Sequence, residues 1–223
     1  MGAGDPFLIG LVLAAAGSSS RFKSNIPKQF NQLRESPIYC HALELFAHLA
    51  EEMVVVVPKD WREEVESQVA SLAYHNKVVV ETGGLQRQDS VYKGVCRFSD
   101  RIDIVLVHDA ARPFFSEKLI SRVVEGAHQY RACVPIIPVS DTLKEIRSDR
   151  VFKTIRRENL FLTQTPQGFE INLLKRAFQR AIEDNFYGTD ESVLVERLNE
   201  SVHTVPGERS NIKITWQEDL SGI

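Results

Sequence analysis

The chain has 223 residues, with 27 Lys and Arg against 30 Asp and Glu, for a formal net charge of −3. Its length suits one large domain able to bury a substantial core, and its 43% hydrophobic and 26% charged residues are ordinary globular values. An acidic balance excludes a protein that coats nucleic acid or an anionic membrane by bulk charge, but not one that holds a small anion with a few placed cations.

Cys40, Cys96 and Cys133 are dispersed and the six histidines make no paired-ligand spacing, so neither a disulfide framework nor a zinc site is expected. The apolar run Phe7 to Ala16 is too short to span a bilayer, and no Lys or Arg precedes it as a signal peptide requires. Pro6 stands where a myristoylation signal wants Ser or Thr. A cytoplasmic location is the expectation, with no nucleic-acid or membrane partner.

Ile9 to Leu13 is the first of five runs that read as buried strands; Met53–Val57, Lys77–Val80, Ile104–His108 and Cys133–Val139 follow. Between the first two strands, Ile38, Ala42, Leu45 and Leu49 recur at helical spacing behind Pro37. Trp61, Val65, Val69 and Leu72 do the same behind Pro58, and Ile171, Leu174, Phe178 and Ile182 mark a later helix. Alternation of this kind predicts an α/β fold, a Rossmann-like three-layer αβα arrangement with a mostly parallel twisted sheet and right-handed crossovers. Ser140 to Ile155 breaks the rhythm by alternating around Ser148-Asp149-Arg150, which predicts a hairpin arm projecting within residues 139–160. No repeat or linker divides residues 1–223, so one domain with an arm is expected.

In an open α/β sheet, ligands bind beyond the carboxyl ends of the strands. The first such loop, Ala14-Ala15-Ala16-Gly17-Ser18-Ser19-Ser20-Arg21, followed by Pro27-Lys28-Gln29, offers close backbone approach, hydroxyl donors and two cations. It reads either as a phosphate cradle or as a solvated surface loop, and it matches neither the Walker nor the dinucleotide fingerprint. Gly83-Gly84-Leu85-Gln86-Arg87-Gln88-Asp89-Ser90 allows positive φ and close approach; taken alone, it is a turn into a helix capped by Asp89 or Ser90. Asp109, at the end of a strand in His108-Asp109-Ala110-Ala111-Arg112-Pro113, either holds Mg²⁺ beside substrate phosphates or pairs with Arg112. Thr189 followed by two acids reads equally as a helix start.

Taken together, LAAAGSSSRF with PKQF, GGLQRQDSV, VHDAARPF, SDTLKEI, RENLFLTQTPQGF, GTDES and NIKITWQEDL run nearly end to end in one order. The chain thereby resembles the 2-C-methyl-D-erythritol 4-phosphate cytidylyltransferase family, which joins CTP to a phosphorylated polyol and releases pyrophosphate. The resemblance implies that Arg21 and Lys28 stabilise charge on the α-phosphate in the transition state. It implies that Ala15, Ala16, Gly17 and Ser18 present the first loop to the nucleotide, that Gly84 and Ser90 help recognise cytosine and ribose, and that Gly83 and Arg87 also belong to the nucleotide-binding set. Asp109 corresponds to the aspartate that contacts metal and substrate; Arg112, Thr165, Thr189 and Lys213 correspond to substrate-side positions. Arg157 corresponds to an arginine that reaches the neighbouring subunit's site, so a homodimer with shared sites and a divalent cation such as Mg²⁺ are implied. Ser19 replaces a glycine frequent in the family, and Ser192-Val193 replaces a small residue followed by Ser. A ribitol 5-phosphate cytidylyltransferase shares the nucleotide loops, and a catalytically silent binding protein shares the fold.

Overall fold

The computed structural model describes residues 7–17, 22 and 26–220. The first apolar run forms strand β1 (Ile9–Ala14). A short hairpin of β2 (Gln32–Leu33) and β3 (Ser36–Pro37) then leads through Pro37 into helix α1 (Ile38–Phe46). Strand β4 (Glu52–Val57), helix α2 (Arg62–Ala70), strand β5 (Val78–Thr82) and helix α3 (Arg87–Val95) continue the alternation. Next come β6 (Ile104–Asp109), α4 (Glu117–Tyr130) and β7 (Ala132–Pro138). A hairpin of β8 (Leu143–Arg147) and β9 (Arg150–Ile155) precedes β10 (Phe161–Thr163) and β11 (Gln167–Glu170). Helices α5 (Ile171–Glu183) and α6 (Glu191–Glu196) and strand β12 (His203–Pro206) follow.

Eight strands make one sheet in the order β10-β7-β11-β6-β1-β4-β5, with β12 also on β7. Pairings of β1 with β4 and β6, of β4 with β5 and of β12 with β7 are parallel. The sheet is thus mostly parallel, as expected, but β11 and β10 insert antiparallel beside β6 and β7. Both are only three or four residues long and lack a sustained apolar run, so the sequence carried no sign of them.

Alternate residues of the central strands enter two separate cores. Leu11, Leu13, Met53, Val55, Val57 and Leu106 pack with α1, α2 and α4 on one face. Val12, Val54, Val56, Val105 and Val107 pack with α3, α5 and α6 on the other. This double burial is why the strands read as unbroken Val/Ile/Leu runs, and it produces the three layers. The helical stripes differ in detail from expectation. Leu49 lies beyond α1 and is exposed, as is Ile182, because the buried faces run through Leu43 and Phe46 and through Ala177 and Ala181 instead.

The β8–β9 hairpin pairs with no other described strand. Its turn places Ser148 at φ 45° and Asp149 at φ 62°, the two successive left-handed residues of a type I′ turn, whose twist matches that of the strands. The turn expected from the alternation is therefore where the chain reverses.

What positions the site is the register at the sheet's centre. Ala14 of β1 lies opposite both Asp109 of β6 and Val56 of β4, and Val57 lies opposite Thr82 of β5. The loops after β1, β5 and β6 therefore leave the sheet side by side. The chain winds from β1 toward β4 and β5 on one side while β6 lies on the other, which opens a crevice where the order reverses.

Candidate active site

A cavity of about 390 Å³ occupies this crevice. Ala14, Ala16 and Gly17 form one wall and Gly84 to Arg87 with Ser90 form the opposite one. Lys28, Gln29, Asp109, Ala111, Lys213 and Thr215 complete the lining. The walls are fixed by their own hydrogen bonds. The Ala15 N–H donates to the Val56 carbonyl at 2.8 Å, and the Gln29 amide donates to the carbonyls of Ala15 and Gly17 at 2.5 and 3.2 Å. Opposite, the Gly84 N–H donates to the Ser90 hydroxyl, which donates in turn to the Gln86 carbonyl. The N-cap of α3 is Gln86, with Asp89 accepting from the Gln86 N–H in a capping box, rather than Asp89 or Ser90 itself.

Gly83 and Gly84 were expected to allow positive φ, yet no described glycine has it. What they provide is space: a Cβ on Gly83 would lie 2.5 Å from the Ala16 Cβ and 2.9 Å from the Ser90 Oγ. The two walls meet there, and only a hydrogen atom fits between them.

Asp109 stands at the end of β6, nearly buried, ringed by three cations. Lys213 Nζ is 2.8 Å and Arg112 Nε 3.7 Å from its Oδ2, and Arg87 Nε is 3.3 Å from its Oδ1. Burial alone would raise the carboxyl pKa. Arg87, Lys213 and Arg112 overcome it and hold Asp109 far below the ordinary carboxylate range. Arg87 also donates through Nη1 to both oxygens of Glu191, at 2.7 and 2.9 Å. Burial opposes the charge on Arg87, but Glu191 and Asp109 outweigh it and raise its pKa. Burial pushes the Glu191 pKa up, with Arg87 acting against it. Three cations against two carboxylates leave a positive surplus at the cavity floor, and Lys28 adds another cation at its side.

Behind Asp109 lies a relay of fully buried groups. His108 Nε2 lies 3.0 Å from the Arg112 carbonyl, which can only accept, so the proton is on Nε2. Its Nδ1 then accepts from the Thr165 hydroxyl at 3.1 Å, and the same hydroxyl accepts from the Asp109 N–H. Asn211 donates to the Thr165 carbonyl, and Arg112 donates to the Asn211 carbonyl. Burial pushes the His108 pKa down to about 4, so the ring stays neutral.

Of the residues expected from sequence, Ala16, Gly17, Lys28, Gly84, Arg87, Ser90, Asp109 and Lys213 line this cavity. Ala15 and Gly83 stand behind the lining, each with its N–H committed to the sheet. Arg112 and Thr165 support Asp109 from below. Thr189 is exposed outside the cavity lining, one residue before Asp190, which caps α6. Arg157 is exposed near the base of the hairpin and donates to the Ser140 carbonyl. Ser18, Ser19 and Arg21 lie outside the described residues. Ser192 donates its hydroxyl to Asp190 at 2.8 Å, giving that departure from the family pattern a local role in the cap. Gln29, His108, Glu191 and Asn211 carried no role in the sequence reading, although each sits inside a quoted motif.

Known proteins resemble this chain over nearly its whole length. Residues 9–222 match the family model described as IspD: 2-C-methyl-D-erythritol 4-phosphate cytidylyltransferase. A relative of that description from Clostridioides difficile (strain 630) is 38% identical over 213 residues, which span 95% of this chain and 90% of the relative. The crystal structure of the Thermus thermophilus enzyme of that name superposes with a TM-score of 0.81 at 33% identity, covering 97% of this chain and 96% of the other. The 4-diphosphocytidyl-2C-methyl-D-erythritol synthase of Anaerococcus prevotii does so at 0.83 with 27% identity, over the same shares.

Proposed function

Because the chain belongs to the 2-C-methyl-D-erythritol 4-phosphate cytidylyltransferase family, we propose that the crevice joins CTP to that phosphorylated polyol. The protein is a nucleotidyltransferase of isoprenoid biosynthesis. The observation that carries the mechanism is the positive surplus around Asp109, within one cavity that also takes in Lys28. A phosphate monoester oxygen of the acceptor attacks the α-phosphorus of CTP in line, a new P–O bond forms, and the bond to the leaving pyrophosphate breaks. The nucleophile is already anionic, so no strong general base is needed. The barrier lies in bringing two anions together, and positioning and charge neutralisation carry the catalysis.

In this reading Ala16, Gly17 and Gly84 let the nucleotide approach the backbone, and Ser90 keeps its loop in shape. Lys28, with Arg21, neutralises charge developing on the α-phosphate. Lys213 and Arg112 present Asp109 to the acceptor. Asp109 is the carboxylate of the cavity. A single hard oxygen donor, with no cluster of three metal-ligating side chains among the described residues, suits Mg²⁺ carried in by a triphosphate rather than a resident metal cage. When bound, Mg²⁺ neutralises charge on the leaving pyrophosphate. Arg157 and the hairpin belong to a homodimer in which each arm serves the partner's site. The apolar side chains Ile146, Val151 and Phe152 on the hairpin and Phe161 and Leu162 on β10 are each about half exposed, which suits a surface to be covered. No helix among the described residues is long and apolar enough to cross a membrane.

Purified protein given CTP, Mg²⁺ and 2-C-methyl-D-erythritol 4-phosphate should release pyrophosphate. Ribitol 5-phosphate run alongside should be a poor acceptor. No release with the first, or preference for the second, would overturn the reading.

A further inference from the structure

Glu191 is a buried carboxylate that the reaction above does not use. Its side chain is 1% exposed at the start of α6, and it accepts from Arg87 Nη1 at 2.7 and 2.9 Å. A carboxylate in such a place is costly unless it is paired, and an apolar side chain would fill the same space without that cost. The pairing therefore calls for a purpose beyond packing.

Arg87 connects three elements. It opens α3, its Nη1 reaches Glu191 of α6, and its Nε reaches Asp109 Oδ1 at the end of β6. A guanidinium is planar and rigid, so one partner on Nη1 and another on Nε fix both its place and its tilt. The same side chain is about one-third exposed and lines the cavity in which the nucleotide is placed. An arginine there without a second anchor would turn onto the phosphates and leave Asp109. α6 is itself held in place: Asp190 accepts from the Val193 N–H and from the Gln167 amide, and the Gln88 side chain bonds the backbone of Phe186 and Gly188. Glu191 is thus presented to Arg87 from a braced element.

We propose that Glu191 is a positioning residue that holds Arg87 on Asp109 and withholds it from the phosphates of the nucleotide. The proposal rests on the reading of Asp109 as the acceptor-side carboxylate. It carries a signature that a merely structural residue would not have. Removing the charge of Glu191 should free Arg87 for the triphosphate, so CTP binds more tightly while turnover falls.

The test compares wild type, Asp109→Asn, Glu191→Gln and Arg87→Met/Glu191→Leu by pyrophosphate release and by CTP binding at equilibrium. Glu191→Gln should lower kcat about tenfold and lower the Kd for CTP severalfold. The double variant loses both charges together, which protects the fold; it should lose turnover without tightening CTP, because no arginine is released. Should Glu191→Gln not fold, the double variant still decides: tighter CTP binding there overturns the proposal. Unchanged kcat in Glu191→Gln, or weaker CTP binding in it, also overturns it. Wild type without pyrophosphate release would overturn the functional reading and this inference with it. Active wild type and impaired Asp109→Asn beside a normal Glu191→Gln would overturn this inference alone.

Discussion

Lys28 holds its ammonium 2.6 Å from the Ile214 carbonyl, aimed along the cavity wall without being buried in the core. Truncation should therefore cost catalysis far more than stability. Lys28→Ala is expected to lower kcat by ~10²–10³-fold, the usual loss of one donor to a transition-state charge, while the melting temperature stays within a few degrees. Steady-state kinetics beside thermal melting would check both halves. His108 gives a prediction of the opposite kind. An imidazole that titrates near 6.5 when unfolded is pushed down to about 4 by burial, so between those values the unfolded chain binds a proton that the native one refuses. Stability is then full above about pH 6.5 and falls as the pH drops toward 4, by roughly 3 kcal/mol over that window. Denaturant unfolding across pH 4 to 7 should show this slope, and His108→Asn should flatten it. Lys28 and Asp109 were legible in the sequence because loops after buried strands are predictable and few charges occupy them. His108, Gln29 and Glu191 were not, because their roles come from burial and from partners as much as 104 residues away, which no local pattern announces.

At the scale of elements, the contact between the first loop and the turn before α3 sets the width of the cavity. Gly83→Ala would put a methyl group 2.5 Å from the Ala16 side chain, closer than van der Waals contact permits. The walls must spread, so the KM for CTP should rise by about tenfold with a stability loss of about 1–3 kcal/mol. A normal KM in a folded variant would show that the wall can yield elsewhere. Elements divide by legibility in the same physical terms. The central strands β1, β4 and β6 were visible because both faces are buried and nearly every position is apolar. Edge strand β5 was visible from its run of valines, although Val79 is exposed. β12 was not: His203 and Thr204 are exposed, and its pairing with β7 comes from where the chain returns rather than from composition. α4 is absent from the helices expected above, although its signals are local: Ser116 caps it by accepting from the Leu119 N–H, and Leu119, Ile120, Val123 and Ala127 form its buried stripe.

For the whole molecule, the hairpin carries its apolar side chains outward, with the Arg147 guanidinium 3.6 Å above the Phe152 ring. Replacing residues 143–155 by a short turn should give monomers in sedimentation and lower activity, with the sheet retained by circular dichroism. If the chain forms a homodimer and Arg157 acts across it, mixing Arg157→Ala with Lys28→Ala chains should restore up to roughly a quarter of wild-type activity, since half the random dimers would hold one intact site. No recovery despite proven exchange would rule out shared sites. The stretch from Asn211 to Thr215 adds a consequence in time. It follows the last strand of the sheet, yet it supplies Lys213 to Asp109, the Ile214 carbonyl to Lys28 and a wholly buried Ile214 side chain to a small satellite cluster. A ribosome that has released everything through β12 has made a complete sheet around an unfinished cavity. Lys213 thus docks onto a sheet whose strands all precede it in the chain.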